Sequence, residues 1–415
     1  MLFCAPSSFL AHSHRKNLQH TIMANPDPQP LLFTPLTLGD ITLRNRVVVS
    51  PMCQYASEGG GPADYHLVHL GQFAMGGAGL VFCEETAVED RGRKSYHCAG
   101  IYNDKHLTQY RRINDFIRQH GAAPAIQLGH GGRKGSGRPP WDGYRQLTPD
   151  DALCGEAPWQ TVSSSEIPSS AKDPAPHSLT LAEIKAVVAH WREAARRAAD
   201  AGYDVVEIHA AHGYLIHQFL SPLVNRRSDG YGGDVQGRMR FCMEIVEAVR
   251  GAWPKGKPVF LRLSAVDGSG DAWTLQDTVQ VARAAKARGI EVITPSSGGI
   301  GGAGTATLVP RLPGYHVPFS KCVRSEVEIK TIAVGLITEA QHAEQILQNG
   351  EADLIALARE FLWNPHWAAH AARELGVANY FDLLPRTYAW WLKRRDEIRE
   401  VTRGAKQIDS APPAK

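Results

Sequence analysis

His209 and His212 stand three residues apart, and Tyr214 follows two residues later. On a helix that spacing would turn both imidazoles to one face as metal ligands. Here they leave the run Val205-Val-Glu-Ile-His209, which has the composition of a buried strand. No partnered carboxylate or cysteine at another strand end offers a third ligand, so no metal is expected. Two readings remain: a pair of donors aimed at one ligand oxygen, as in an oxyanion hole, or two histidines bonded within a turn. Tyr214 is a phenol with an ordinary pKa of about 10. It is either a core aromatic or, after a strand, a proton donor whose neighbours stabilise the phenolate.

Arg262 lies inside the apolar run Val259-Phe-Leu-Arg-Leu263. A guanidinium buried there needs an anion or dipole beside it, either a structural Asp or Glu or a ligand. Arg359 follows another apolar run, where phosphate-binding barrels gather backbone N–H groups and positive charge; the alternative is a surface salt bridge. Cys53 has no base adjacent in sequence, so inert packing or a modulating thiol is favoured over covalent catalysis. Lys134, in Gly131-Gly-Arg-Lys134, is a weaker candidate for Schiff-base chemistry, since Gly-rich basic loops commonly just meet anions or solvent.

These residues need elements to hold them. Helix-like stretches, each closed by a Gly and followed by a short apolar run, recur along the chain: 106–119 before 124–128, 181–200 before 205–209, 275–288 before 291–294, and 339–349 before 353–357. Thr180-x-x-Glu183 and Thr338-x-x-Gln341 have capping-box spacing. With Arg46 to Val49, Gly79 to Cys83, Val259 to Leu263 and Ile332 to Val334, the runs number eight, which predicts a (β/α)8 TIM barrel. A doubly wound sheet would also alternate, but G-x-G-x-x-G is missing after every run. In a barrel, the strand ends carry the chemistry, and Cys53, Tyr55, Gln127, His209, His212, Tyr214 and Arg262 then face one bowl.

Composition bounds the rest. The 415 residues include 45 Lys plus Arg and 42 Asp plus Glu, a formal charge of +3. That balance provides no large field for nucleic acid or an anionic membrane. No run of about 18 apolar residues is present to cross a bilayer. Seven cysteines without C-x-x-C spacing fit a reducing, cytoplasmic compartment, with organelle targeting left open by the basic leader around Arg15 and Lys16. The expected organisation is an N-terminal extension over 1–30, one barrel domain over 31–400 and a polar tail over 401–415.

Leu32-Phe-Thr-Pro-Leu, Ser50-Pro-Met-Cys-Gln-Tyr55, Gln127-Leu-Gly-His-Gly-Gly-Arg-Lys134, Glu207-Ile-His-Ala-Ala-His-Gly-Tyr214 and Asp229-Gly-Tyr-Gly-Gly233 occur in this order. Together they resemble the bacterial-type branch of the old yellow enzyme family over about Leu32 to Trp363. The resemblance implies FMN at the C-terminal face of the barrel, with NADPH or NADH as hydride donor. It implies ping-pong reduction of the C=C bond of α,β-unsaturated carbonyl or nitro compounds. Ser50, Pro51, Met52, Cys53, Glu85, Gln127, Arg262, Gly335, Ala358 and Arg359 would contact FMN. Tyr55, Cys53, His209, His212 and Tyr214 would hold substrate, with Tyr214 as proton donor. Two departures stand out: Glu85 replaces a small alanine, so its side chain must turn away from the flavin, and Ala358 replaces a glycine. The family also implies a homodimer or homotetramer in which a C-terminal residue, somewhere in Pro385 to Trp391, reaches a neighbouring site. The competing functions are a flavin-free aldolase or isomerase barrel and a non-catalytic flavin-binding barrel.

Overall fold

The computed structural model describes residues 29–268, 272–301 and 309–404. Eight parallel strands close into a barrel: β1 (Val47–Val49), β2 (Leu80–Ala87), β3 (Ala123–Gly129), β4 (Val205–Ala210), β5 (Val259–Ser264), β6 (Val292–Ser296), β7 (Lys330–Ala333) and β8 (Leu354–Leu357). Their order around the barrel is the chain order, and Ile355 to Leu357 of β8 pair with Val47 to Val49 of β1 to close it. The predicted TIM barrel is therefore the observed fold, and each strand falls on an apolar run read from the sequence.

The helices of the outer layer are α1 (Asp64–Met75), α2 (Leu107–Gln119), α3 (Leu181–Asp200), α4 (Leu215–Leu220), α5 (Val235–Ala252), α6 (Leu275–Lys286), α7 (Val317–Val327), α8 (Ala340–Gln348), α9 (Arg359–Trp363), α10 (Trp367–Glu374) and α11 (Arg386–Gly404). Two cores result. The outer one lies between strands and helices and includes Trp191, Phe241, Trp273 and Phe361. The inner one fills the lower barrel with Val48, Phe82, Ala125, Val205, Phe260, Val292 and Ile332. Leu38 and Leu43, from a hairpin that pairs Leu36–Leu38 with Ile41–Leu43, join that inner core.

Three local expectations need correction or refinement. The box at Thr180 forms: its hydroxyl accepts from the Glu183 N–H at 3.3 Å, and Glu183 accepts from the Thr180 N–H at 2.8 Å. The box at Thr338 does not, because α8 starts after Glu339 without a side-chain cap and the Thr338 carbonyl is engaged by the Trp367 indole N–H at 2.7 Å. The second strand continues past Cys83 to Ala87, with a bulge that leaves Glu84 without a register partner on β3. At the C-terminus, α11 runs to Gly404, beyond the boundary read at 400/401. Residues 1–28 of the N-terminal extension and the last eleven residues of the tail lie outside the described residues.

Candidate active site

Side chains of a strand alternate between its two faces, so counting in twos from the inner core identifies what fills the upper barrel. Val48 leads to Ser50, Ala125 to Gln127, Val205 to Glu207 and His209, Phe260 to Arg262 and Ser264, and Val292 to Thr294 and Ser296. All eight of these polar residues are buried. An apolar plug below and a polar layer above is the division expected of a barrel with chemistry at its C-terminal end.

Glu207 organises this layer. Its carboxylate accepts from the Gln127 amide at 2.7 Å and from the Thr294 hydroxyl at 2.6 Å. Burial pushes the carboxyl pKa up, opposed by the charge of Arg262. Burial likewise pulls the guanidinium down, opposed by Glu207. Both alternatives for Arg262 thus have a basis: a carboxylate counters its charge, yet its reach is not exhausted. One Nη lies 3.4 Å from the Ser50 hydroxyl, and the buried Nε has no hydrogen-bond partner. The sequence reading assigned Glu207 no role, although its position two residues before His209 on one strand was the available signal.

The two histidines are bonded to each other rather than jointly aimed at one point. The Ala211 N–H donates to His209 Nδ1 at 3.2 Å, which places the His209 proton on Nε2. That Nε2 lies 3.2 Å from His212 Nδ1, and His212 Nε2 lies 2.7 Å from the Ser296 hydroxyl. The consistent assignment is His209 Nε2–H donating to His212 and His212 Nε2–H donating to Ser296. A ligand oxygen entering here therefore competes for donors that already have acceptors. His212 adopts φ 58°, a left-handed conformation uncommon outside glycine. The loop is pinned from beneath, where the Gly213 N–H donates to the buried His217 at 2.8 Å and the Gly213 carbonyl accepts from Gln218 at 2.7 Å. Tyr214 packs edge-on to His209 with ring centroids 5.0 Å apart. Burial raises its phenol pKa, and the charge of Lys94 opposes that rise.

Burial, reinforced by Arg262, holds both His209 and His212 well below the ordinary imidazole range. Burial also lowers His69 to about 4 and His316 to about 3. The unfolded chain takes up these protons near pH 6.5 while the folded chain does not. Stability is thus full above pH 7 and is lost as pH falls through 6.5, by up to about 1.4 kcal/mol per pH unit for each such group. Urea midpoints are expected to drop steeply from pH 7 to pH 5, and His69→Leu should make that drop shallower.

Two cavities meet at His212. The first, about 580 Å3, is bordered by Ser50, Pro51, His212, Arg262, Tyr315, His316, Gly335, Ala358 and Arg359. The second, about 400 Å3, is bordered by Tyr55, Lys94, Lys134, His212 and Tyr214. The first has unmet hydrogen-bonding capacity at its wall, since His316 Nδ1 is buried without a partner, as Arg262 Nε is. Gly335 has φ 121° and Leu336 φ 50°, so the chain after β7 turns sharply at the cavity edge. Ala358, at φ -119° and ψ -91°, stands immediately before α9 at the cavity edge. Arg359 is exposed at the start of α9.

Met52, Cys53, Glu85, Gln127 and His209 border neither cavity. Met52 packs against the outer core, while Gln127 and His209 are tied to Glu207 and His212. Glu85 has a partner the sequence did not reveal. Its carboxylate ion-pairs with the buried Lys94, whose Nζ also lies 2.9 Å from Cys53 Sγ. Lys134 donates to the carbonyls of His212, at 2.9 Å, and Gly299, which makes it a strut between two loops. Among the described residues no group of three or more His, Cys, Asp or Glu side chains is placed to hold a metal ion.

A (β/α)8 barrel with a cavity at its strand ends, a buried guanidinium at the cavity wall and an imidazole at its edge has the layout of a barrel enzyme that binds its ligand at the C-terminal face. The chain belongs to the NADH:flavin oxidoreductase / NADH oxidase family, the old yellow enzymes, whose profile matches residues 31–377. It is 41% identical over 351 residues to the NADPH dehydrogenase of Geobacillus sp. (strain WCH70), covering 84% of this chain and 96% of that protein. It is 42% identical over 347 residues to the NADPH dehydrogenase of Listeria monocytogenes serotype 4a (strain HCC23), covering 83% and 95%. Among solved structures, morphinone reductase in complex with tetrahydroNAD superposes with a TM-score of 0.68 at 25% identity, covering 84% of this chain and 92% of that one. The protein is an NAD(P)H-dependent flavin oxidoreductase whose cofactor is FMN. No helix among the described residues is long and apolar enough to cross a membrane.

Proposed function

We propose that the chain is an ene-reductase, which reduces the activated C=C bond of α,β-unsaturated carbonyl or nitro compounds in a ping-pong cycle. FMN, when bound, supplies two-electron chemistry, taking hydride from NAD(P)H and returning it to an electron-poor alkene. The first cavity suits it. Arg262, with an unpartnered Nε, would meet the anionic edge of the reduced ring, with Ser50 and Pro51 along it. Gly335, Ala358 and Arg359 would hold the phosphate.

The observation that carries the reading is that His212 borders both cavities while Tyr214 borders the second. An alkene at that junction has its activating oxygen beside the neutral imidazole of His212, with His209 bonded behind it, and the N–H groups of this pair stabilise the enolate charge as it forms. Tyr214 gives its hydroxyl proton to the α-carbon, and Tyr55 covers the substrate from the far side. The barrel over 31–400 acts as one domain in a cytoplasmic, reducing compartment, in keeping with six free cysteines among the described residues. Exposed Tyr388, Trp390 and Trp391 on α11 provide a surface for a second copy, as a homodimer or homotetramer requires.

The test is anaerobic: purified protein is reduced with NADPH, then mixed with cyclohexenone while the flavin band is followed. The band should fade and then return. Tyr214→Phe should still be bleached by NADPH, but its reoxidation by the enone should slow by about 10²- to 10⁴-fold. A reduced wild-type protein that no activated alkene reoxidises would refute the ene-reductase reading while leaving the flavin oxidoreductase intact.

A further inference from the structure

Lys94 sits on the loop after β2, with 7% of its surface exposed. Its ammonium pairs with Glu85 from β2, touches Cys53 Sγ from the loop after β1 and stands 5.2 Å from the centroid of the Tyr214 ring. Gly129 of β3 makes room for the pair, since a Cβ there would collide with the Glu85 carboxylate. Two opposite charges buried together are no more stable than an apolar pair of similar volume. At the wall of the second cavity, beside a phenol, their value is then electrostatic.

We propose that Lys94, held by Glu85, is a positioning residue for the proton donor Tyr214, stabilising the negative charge left on the phenol oxygen when Tyr214 protonates the alkene. The proposal rests on the ene-reductase reading. Hydride originating from NAD(P)H forms the C–H bond at the β-carbon, and the alkene π pair moves to the α-carbon and its activating oxygen. The Tyr214 O–H bond then breaks, its proton forms the α C–H bond, and its electron pair stays on the phenolate until water returns a proton. Lys94 keeps all its protons throughout.

Two ammonium groups face the Tyr214 ring, and they differ. Lys134, 5.6 Å from the centroid, has only neutral carbonyls as hydrogen-bond acceptors, and burial lowers its pKa to about 8. Lys94 has a carboxylate. Around it stand Cys53, Tyr214 and, from its own loop, Cys98, whose thiols and phenol burial keeps neutral, so the Glu85 carboxylate is the anion that holds the Lys94 pKa above its ordinary value despite burial. The lysine with the fixed charge is therefore Lys94.

The decisive comparison uses NADPH-reduced holoenzyme, reoxidised either by cyclohexenone, which needs a proton on carbon, or by ferricyanide, which needs none. In the double variant Glu85→Ala/Lys94→Met the ratio of enone to ferricyanide rates should fall about 10- to 100-fold, and the solvent isotope effect on the enone step should rise. Lys94→Arg keeps the cation and should hold the ratio within about 3-fold of wild type. Equal loss in Lys94→Arg and the double variant overturns the proposal. So does an unchanged ratio and isotope effect in a folded, yellow double variant while Tyr214→Phe is crippled. Wild-type protein that ferricyanide reoxidises but the enone does not removes the ene-reductase reading itself, a separate and recognisable failure.

Discussion

Arg262→Met should yield a less stable protein that retains little flavin. The guanidinium lies in the buried polar layer, where Glu207 is the carboxylate whose charge it counters. Met matches its length without its charge, so Glu207 is left as a buried carboxylate held only by Gln127 and Thr294. Stranding one buried charge costs about 3 kcal/mol. Independently, loss of a buried charged donor to a ligand weakens binding by about 2–5 kcal/mol, or at least about 30-fold in Kd. A second variant separates the two effects. Glu207→Gln/Arg262→Met has no buried charge to strand, so urea unfolding should return most of the lost stability, while FMN affinity by fluorescence quenching should stay weak. If affinity recovered with stability, Arg262 would be a structural partner of Glu207 and no more.

The barrel was legible because its signals are local. Each strand is a short apolar run and most of the helices between them end at a Gly, so composition and punctuation suffice. The polar layer was half legible. His209, Gln127 and Arg262 stood out as polar residues in or after apolar runs, while Glu207, in the same layer, was passed over because a carboxylate at that place looks like an outward residue until the period of two is counted. The extension of β2 was hidden for a different reason: the apolar run stops at Cys83, and only the bulge and the buried partners of both carboxylates make Glu84-Glu85-Thr86 strand. For Glu84 those partners are His66, at 3.1 Å, and the Gln54 N–H, at 3.1 Å. Lys94 was invisible because its contacts to Cys53 and Tyr214 join residues 41 and 120 positions away, and no spacing rule spans such separations. The mutual bond of His209 and His212 depends on tautomers set by the Ala211 N–H, which sequence does not specify.

That bond bears on the second large effect expected, the loss of enone turnover in His209→Ala. In the resting site His209 donates to His212, which donates to Ser296, so no imidazole N–H is idle. Binding a carbonyl exchanges one such bond for another, and an exchange between neutral partners gains little in the ground state. The gain comes later. In the proposed ene-reduction the carbonyl oxygen acquires enolate charge as hydride arrives, and a bond from N–H to a charged oxygen is about twice as strong as a neutral one. Removing His209 should accordingly reduce kcat for cyclohexenone by about 10²- to 10³-fold while KM changes far less. His209→Asn, which restores an N–H donor, should recover part of that loss, and reoxidation by ferricyanide should be spared in both variants because no oxyanion forms. If His209→Ala instead raised KM and left kcat alone, the histidine would serve uniform binding, and the charge developing on oxygen would have to be met elsewhere.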